Sequence, residues 1–167
     1  MVRLRLAFLC GCLFATILIS GCARPASAVA KIASENSFWT GRISLHVHSE
    51  PEQFFSAGFE LRGKPERGEL TLISPLGNIL GVLRWSPAGA VLDSGNEQLQ
   101  RFNSVDALML QATGAAVPLE ALFAWLQGDS ASVSGWSADL SRQSEGRIAA
   151  KRVQPAPQVD LRVVLDR

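Results

Sequence analysis

The sequence predicts an α+β domain in which two helices pack on one curved antiparallel sheet. Three observations lead there. Five strand-like segments, the first two with a clear period of two, follow one another between residues 39 and 93, separated by short turns. Two segments with a 3.6-residue apolar period then occupy 104–128. Period two returns at the end, where Val159, Leu161, Val163 and Leu165 alternate with Asp160, Arg162, Val164 and Asp166. Consecutive strands joined by short turns form an antiparallel meander, and helices that bury one stripe cover one face of it.

The chain begins Met1-Val2-Arg3-Leu4-Arg5, followed by an apolar run from Leu6 to Ile19 and by Ser20-Gly21-Cys22. A basic start, a short apolar stretch and small residues at a cleavage site read as a secretory signal over residues 1–21. The run is shorter than the ~20 residues a spanning helix needs. Ile19-Ser20-Gly21-Cys22 resembles the box of bacterial lipoproteins, which implies a diacylglycerol thioether and an N-acyl chain on Cys22. The competing reading is ordinary cleavage near Ala23 or Ala26. Two or more acyl chains hold a protein firmly on a membrane where one does not. In such lipoproteins Ala23, in place of aspartate after the cysteine, favours the outer membrane. Cys10 and Cys12 leave with the signal, so the domain stands on its packed core without disulfides. Residues 22–36 are rich in small side chains and read as a tether, and 37–167 as the folded domain.

Removing residues 1–21 from the 167 leaves 146, enough for one domain. Arg3 and Arg5 go with them, leaving 14 basic against 15 acidic residues and a net charge of about −1. No basic stripe exists, so nucleic acid is not an expected partner. Eight Phe and four Trp, with no Tyr, suit a strongly apolar interior.

Each element has its own pattern. In the first strand Ile43, Leu45 and Val47 alternate with Arg42, Ser44, His46 and His48. Pro51-Glu52 turns the chain, and Phe55, Ala57, Phe59 and Leu61 form the apolar face of the second strand. Gly63 to Gly68 is a turn. The third strand carries Leu70 and Leu72 and leads into Ser74-Pro75-Leu76-Gly77. Pro75 presets φ, and Gly77 permits a positive φ, so this connection is tight. Leu76 at its tip either folds back on the core or projects. The fourth strand carries Leu83 and Trp85, and Ala90 to Asp93 forms a short fifth. Ser104 caps a helix with Val105, Leu108, Met109 and Ala112 on one face, ended by Gly114. Pro118 opens a second helix with Leu119, Leu122, Phe123 and Leu126 as its stripe, stopped by Gly128. Val133 to Leu140 is ambiguous. Arg147 to Val153 and Val159 to Leu165 read as strands.

Catalytic signatures are absent from the sequence: there is no Gly-x-Ser-x-Gly elbow, phosphate loop or His-Glu-x-x-His. His46 and His48 are the only histidines and share a strand face. No cysteine or third histidine remains to complete a metal site, and a carboxylate would have to arrive from elsewhere. No metal and no cofactor beyond the lipid on Cys22 is expected, and no enzymatic activity. Binding is the expected function: bulky apolar residues inside a curved sheet, under amphipathic helices, suit either a cavity for lipid chains or a solid core.

Trp39-Thr40-Gly41-Arg42-Ile43-Ser44, the strand ending Leu70-Thr71-Leu72-Ile73-Ser74-Pro75-Leu76-Gly77, and Pro118 to Gly128 (Pro-Leu-Glu-Ala-Leu-Phe-Ala-Trp-Leu-Gln-Gly) occur in that order behind a lipoprotein box. Together they resemble the LolB family of outer-membrane lipoproteins. The resemblance implies an unclosed antiparallel β-barrel with a helical lid over an apolar cavity. Ile43, Leu45, Val47, Phe55, Phe59, Leu61, Leu70, Leu72, Leu83 and Trp85 would line that cavity from the sheet, and Leu108, Met109, Leu122, Phe123 and Leu126 from the lid. It further implies a monomer, anchored on the periplasmic face of the outer membrane, that accepts lipoproteins from a LolA-type carrier and places them in the inner leaflet. Pro75, Leu76 and Gly77 would form the loop that helps insert cargo. After Gly128 the pattern departs from the family: Gly146 precedes Arg147 where a Gly-Trp pair is usual. The competing class is a lipid-anchored scaffold with a solid core.

Overall fold

The computed structural model describes residues 37–95, 99–113 and 115–166. Cys22, the signal segment, the tether and Gly114 lie outside the described residues. Among the described residues nine strands form one antiparallel sheet: β1 (Ser37–Val47), β2 (Gln53–Lys64), β3 (Arg67–Ile73), β4 (Ile79–Ser86), β5 (Gly89–Asp93), β6 (Leu99–Phe102), β7 (Trp136–Asp139), β8 (Arg147–Arg152) and β9 (Val159–Leu165). Their order across the sheet is β6-β5-β4-β3-β2-β1-β9-β8-β7. β6 and β7 are its two edges and do not pair with each other, so the barrel is unclosed. Helices α1 (Val105–Thr113) and α2 (Leu119–Gln127) connect the two edge strands.

The period-two stripes set the inner face. Ile43, Leu45 and Val47 are buried in β1 and Arg42 and His48 lie outward, since successive side chains leave opposite faces of a strand. Ala57, Phe59 and Leu61 of β2 continue the buried face, as do Leu70 and Leu72 of β3 and Leu83 and Trp85 of β4. Val159, Leu161 and Val163 of β9 pair in register with Val47, Leu45 and Ile43. This pairing brings the C-terminal strand back beside the first.

The helices close that face. Ser104 caps α1, its hydroxyl accepting the Ala107 N–H at 3.2 Å. α1 packs against β5 and β6. Pro118 sits at the N-cap of α2, one residue before the first helical position expected for it. Gly128 ends α2 in the left-handed region at φ 89°. The Gln143 side chain donates to the Leu126 carbonyl at 2.9 Å, adding a partner for one of the free carbonyls at this helix end. α2 buries Ala121 and Trp125 as well as the expected Leu119, Leu122, Phe123 and Leu126. Its second apolar side meets Trp136 of β7, whose ring lies 6.0 Å from that of Trp125. The segment read as ambiguous, Val133 to Leu140, therefore contains a strand, Trp136–Asp139, with a packing role. A hairpin does follow α2, and a Gly-Trp pair, Gly135-Trp136, opens its first strand.

Candidate functional site

The β3–β4 connection is a tight, self-bonded loop. Ser74 donates its N–H to the Asn78 carbonyl at 2.8 Å, and the Gly77 N–H donates to the Ser74 carbonyl at 2.9 Å. The Asn78 N–H donates to the Ser74 hydroxyl at 3.1 Å. Gly77 takes φ +84°. These bonds hold Leu76 at the tip, 88% exposed, so it projects rather than folding back. The register between β3 and β4 shifts immediately beside the loop: Leu72 pairs with Gly81 and Ile73 with Ile79. The intervening Leu80 is an extra residue, the mark of a bulge that bends and twists a strand. Ile79 is 65% and Leu80 45% exposed, a pair of apolar side chains beside the tip. Alternation around the strands had assigned neither to the surface.

Connections in a meander alternate between the two ends of the sheet. The β1–β2 and β3–β4 turns therefore leave at the same end. Phe54, 72% exposed at the start of β2, belongs to that end too. A groove of about 460 Å³ runs along the outer face between Pro75 and Gly77 of the loop and Thr40, Arg42 and Glu60 of the sheet.

On the inner face, the residues expected to line a cavity form one cluster. Ile43, Leu45, Val47, Phe59, Leu61, Leu70, Leu72, Leu83 and Trp85 are buried there together with Leu108, Met109, Leu122, Phe123 and Leu126. Phe55 packs at the margin, partly buried. Phe123 of α2 lies edge-on to Trp39 of β1 and to Trp85 of β4. In this conformation the helices and sheet meet side chain to side chain.

His46 and His48 each lie close to a carboxylate. The β1–β2 turn folds Glu52 back, placing its carboxylate 3.3 Å from His46 Nε2 and 3.9 Å from His48 Nδ1. β9 supplies Asp160, register partner of His46, whose carboxylate lies 2.7 Å from His48 Nε2. That hydrogen bond is the main reason the Asp160 carboxyl is held below the usual carboxylate range. Neither contact was legible beforehand, because both partners come from segments distant in sequence or beyond a turn.

Fold and loop define a class: open, lidded antiparallel barrels that present an apolar residue on a protruding loop. Among the described residues no helix is long and apolar enough to cross a membrane. The family described as outer membrane lipoprotein LolB matches residues 38–160. A Cupriavidus pinatubonensis protein named outer-membrane lipoprotein LolB is 35% identical over 149 residues, covering 87% of this chain and 70% of that protein. The protein of the same name from Cupriavidus necator is 33% identical over 142 residues, covering 83% and 71%. That from Bordetella petrii is 28% identical, covering 89% of this chain and 86% of its own. The chain belongs to the LolB family of outer-membrane lipoproteins.

Proposed function

We propose that this protein is a lipid-anchored receptor on the periplasmic face of the outer membrane. It accepts lipoproteins from a LolA-type carrier and inserts them into the inner leaflet. Family membership supports the reading, and the observation that carries it is Leu76, 88% exposed on a loop braced by its own hydrogen bonds. The lipid on Cys22 would hold the domain near its target membrane as a monomer.

The buried cluster between lid and sheet is the site for cargo acyl chains. Its side chains are in mutual contact, so chains enter only as α1 and α2 separate from the sheet and apolar contacts are exchanged for apolar contacts. Transfer needs no nucleotide when each acceptor binds more tightly than its donor; every ~1.4 kcal/mol of difference is tenfold in equilibrium. Leu76 lowers the last barrier by entering the bilayer, where full burial of a leucine is worth ~1.5–3 kcal/mol.

The variant Leu76→Glu tests this. Cargo taken from the carrier should remain bound, while delivery to liposomes falls at least ~10-fold, consistent with losing that burial. Undiminished delivery would overturn the assignment of the loop. Fluorescent fatty-acid binding to the protein tests the interior, and failure to bind would favour a solid-core scaffold.

A further inference from the structure

We propose that His46, His48 and Glu52 form a site for a divalent transition metal of the zinc type at the His48 end of β1. Their ligand atoms all lie within 4.8 Å of one another. In a tetrahedral zinc site with bonds of about 2.0–2.1 Å, neighbouring ligand atoms stand about 3.3 Å apart. His46 Nε2 and Glu52 Oε2 already have that spacing, at 3.3 Å. Glu52 is 55% exposed and on a turn, free to rotate and bring its other oxygen closer than the present 3.9 Å to His48 Nδ1.

Two features go beyond proximity. First, His46 Nε2 is buried and has no hydrogen-bond partner, since the nearby Glu52 oxygen is not aligned for one. A buried ring nitrogen without a partner is costly, and a metal would satisfy it. Second, His48 is already oriented as a ligand. An ionised carboxylate only accepts hydrogen bonds, so at the 2.7 Å contact with Asp160 the proton sits on His48 Nε2. In the neutral ring this leaves the Nδ1 lone pair directed toward Glu52. A carboxylate that fixes the tautomer and raises the basicity of a histidine is the usual outer partner of a zinc ligand. Asp160 is thus a positioning residue. Ring contacts hold the imidazoles: His46 is stacked on Phe54, centroids 4.1 Å apart, and lies 3.9 Å from the ring of His48, tilted by 39°.

The donor set identifies the ion. Two imidazoles and one carboxylate suit Zn²⁺, whereas Mg²⁺ prefers oxygen donors throughout. Water would complete the fourth position. A bound ion would tie the β1–β2 turn to the end of β1 and, through Asp160, to β9. The site stands independently of cargo transfer.

Zinc titration of the purified mature protein, with the signal cleaved and Cys22 acylated, stripped with chelator and followed by calorimetry, tests the proposal. Saturable binding of one Zn²⁺ per chain is expected, with no matching response to Mg²⁺. Glu52→Gln, on an exposed turn, and His46→Ala should each weaken binding at least ~10-fold, and Asp160→Asn by ~10–100-fold. Asp139→Asn, on β7, should leave affinity unchanged. Binding without one-to-one saturation, an equal response to Mg²⁺, or undiminished affinity in Glu52→Gln would overturn it.

Discussion

The ring of Phe123 stands edge-on to that of Trp39, centroids 5.5 Å apart and planes at 83°. Its other neighbour is Trp85, at 6.3 Å and 76°. β1 and β4 are separated by two strands in the sheet, so one side chain from the lid grips both across the curve. Phe123→Ala should therefore cost about 3–5 kcal/mol, the range for an aromatic removed from a core. Urea unfolding of the variant checks this. A loosened lid should also increase ANS fluorescence under native conditions.

Leu76 and Leu72 lie four residues apart and should respond oppositely to glutamate. Leu76 is 88% exposed and Leu72 4%. Leu76→Glu should change stability by less than about 0.5 kcal/mol. Leu72→Glu places a carboxylate in an apolar interior and should prevent folding. Thermal unfolding followed by circular dichroism distinguishes the two, and it shows that a transfer defect in Leu76→Glu is not a folding defect.

Gly68 and Gly77 should differ in the same way on substitution by alanine. Nothing lies within 4 Å of a Cβ added at Gly77, so only its φ of +84° penalises alanine, by about 1 kcal/mol. A Cβ at Gly68 would come within 2.5 Å of both the Arg62 carbonyl oxygen and the Trp85 ring. The indole cannot easily retreat, because its Nε1–H donates to the Pro65 carbonyl at 2.8 Å. Gly68→Ala should lose about 1–3 kcal/mol or more. Denaturant midpoints of the two variants check the order.

Cys22→Ala, exported behind a cleavable signal, should yield a soluble, folded domain with an unchanged melting temperature. Among the described residues the buried cluster runs from Ile43 to Val163, remote in sequence from the anchor. A fall in melting temperature relative to the lipidated protein would give the anchor a structural role.

Much of the sheet could be read in advance because one face of each long strand is apolar. β1 to β5, β8 and β9 were all visible as period two or as short apolar runs between turns. β6 was not expected: Leu99-Gln100-Arg101-Phe102 is too short to establish a period, and no residue of it is fully buried. β7 was ambiguous for the same reason, and Trp136 gains its role only by meeting Trp125. The outward position of Leu76 could not be read from its own segment, since a loop leucine that folds back has the same sequence. The turn's hydrogen bonds and the adjoining bulge settle it.

Local pattern alone determined the inner-face stripes and the helix ends at Ser104 and Gly128. Each depends on neighbours a few residues apart, which is the range over which side-chain direction and backbone capping act. Tertiary structure decided that β9 returns beside β1, that Phe123 joins β1 to β4, and that Glu52 and Asp160 converge on the two histidines. Those contacts, apart from the turn that returns Glu52, join residues tens of positions apart. They exist only once the chain has closed on itself, because the energy that selects them is burial shared among distant strands.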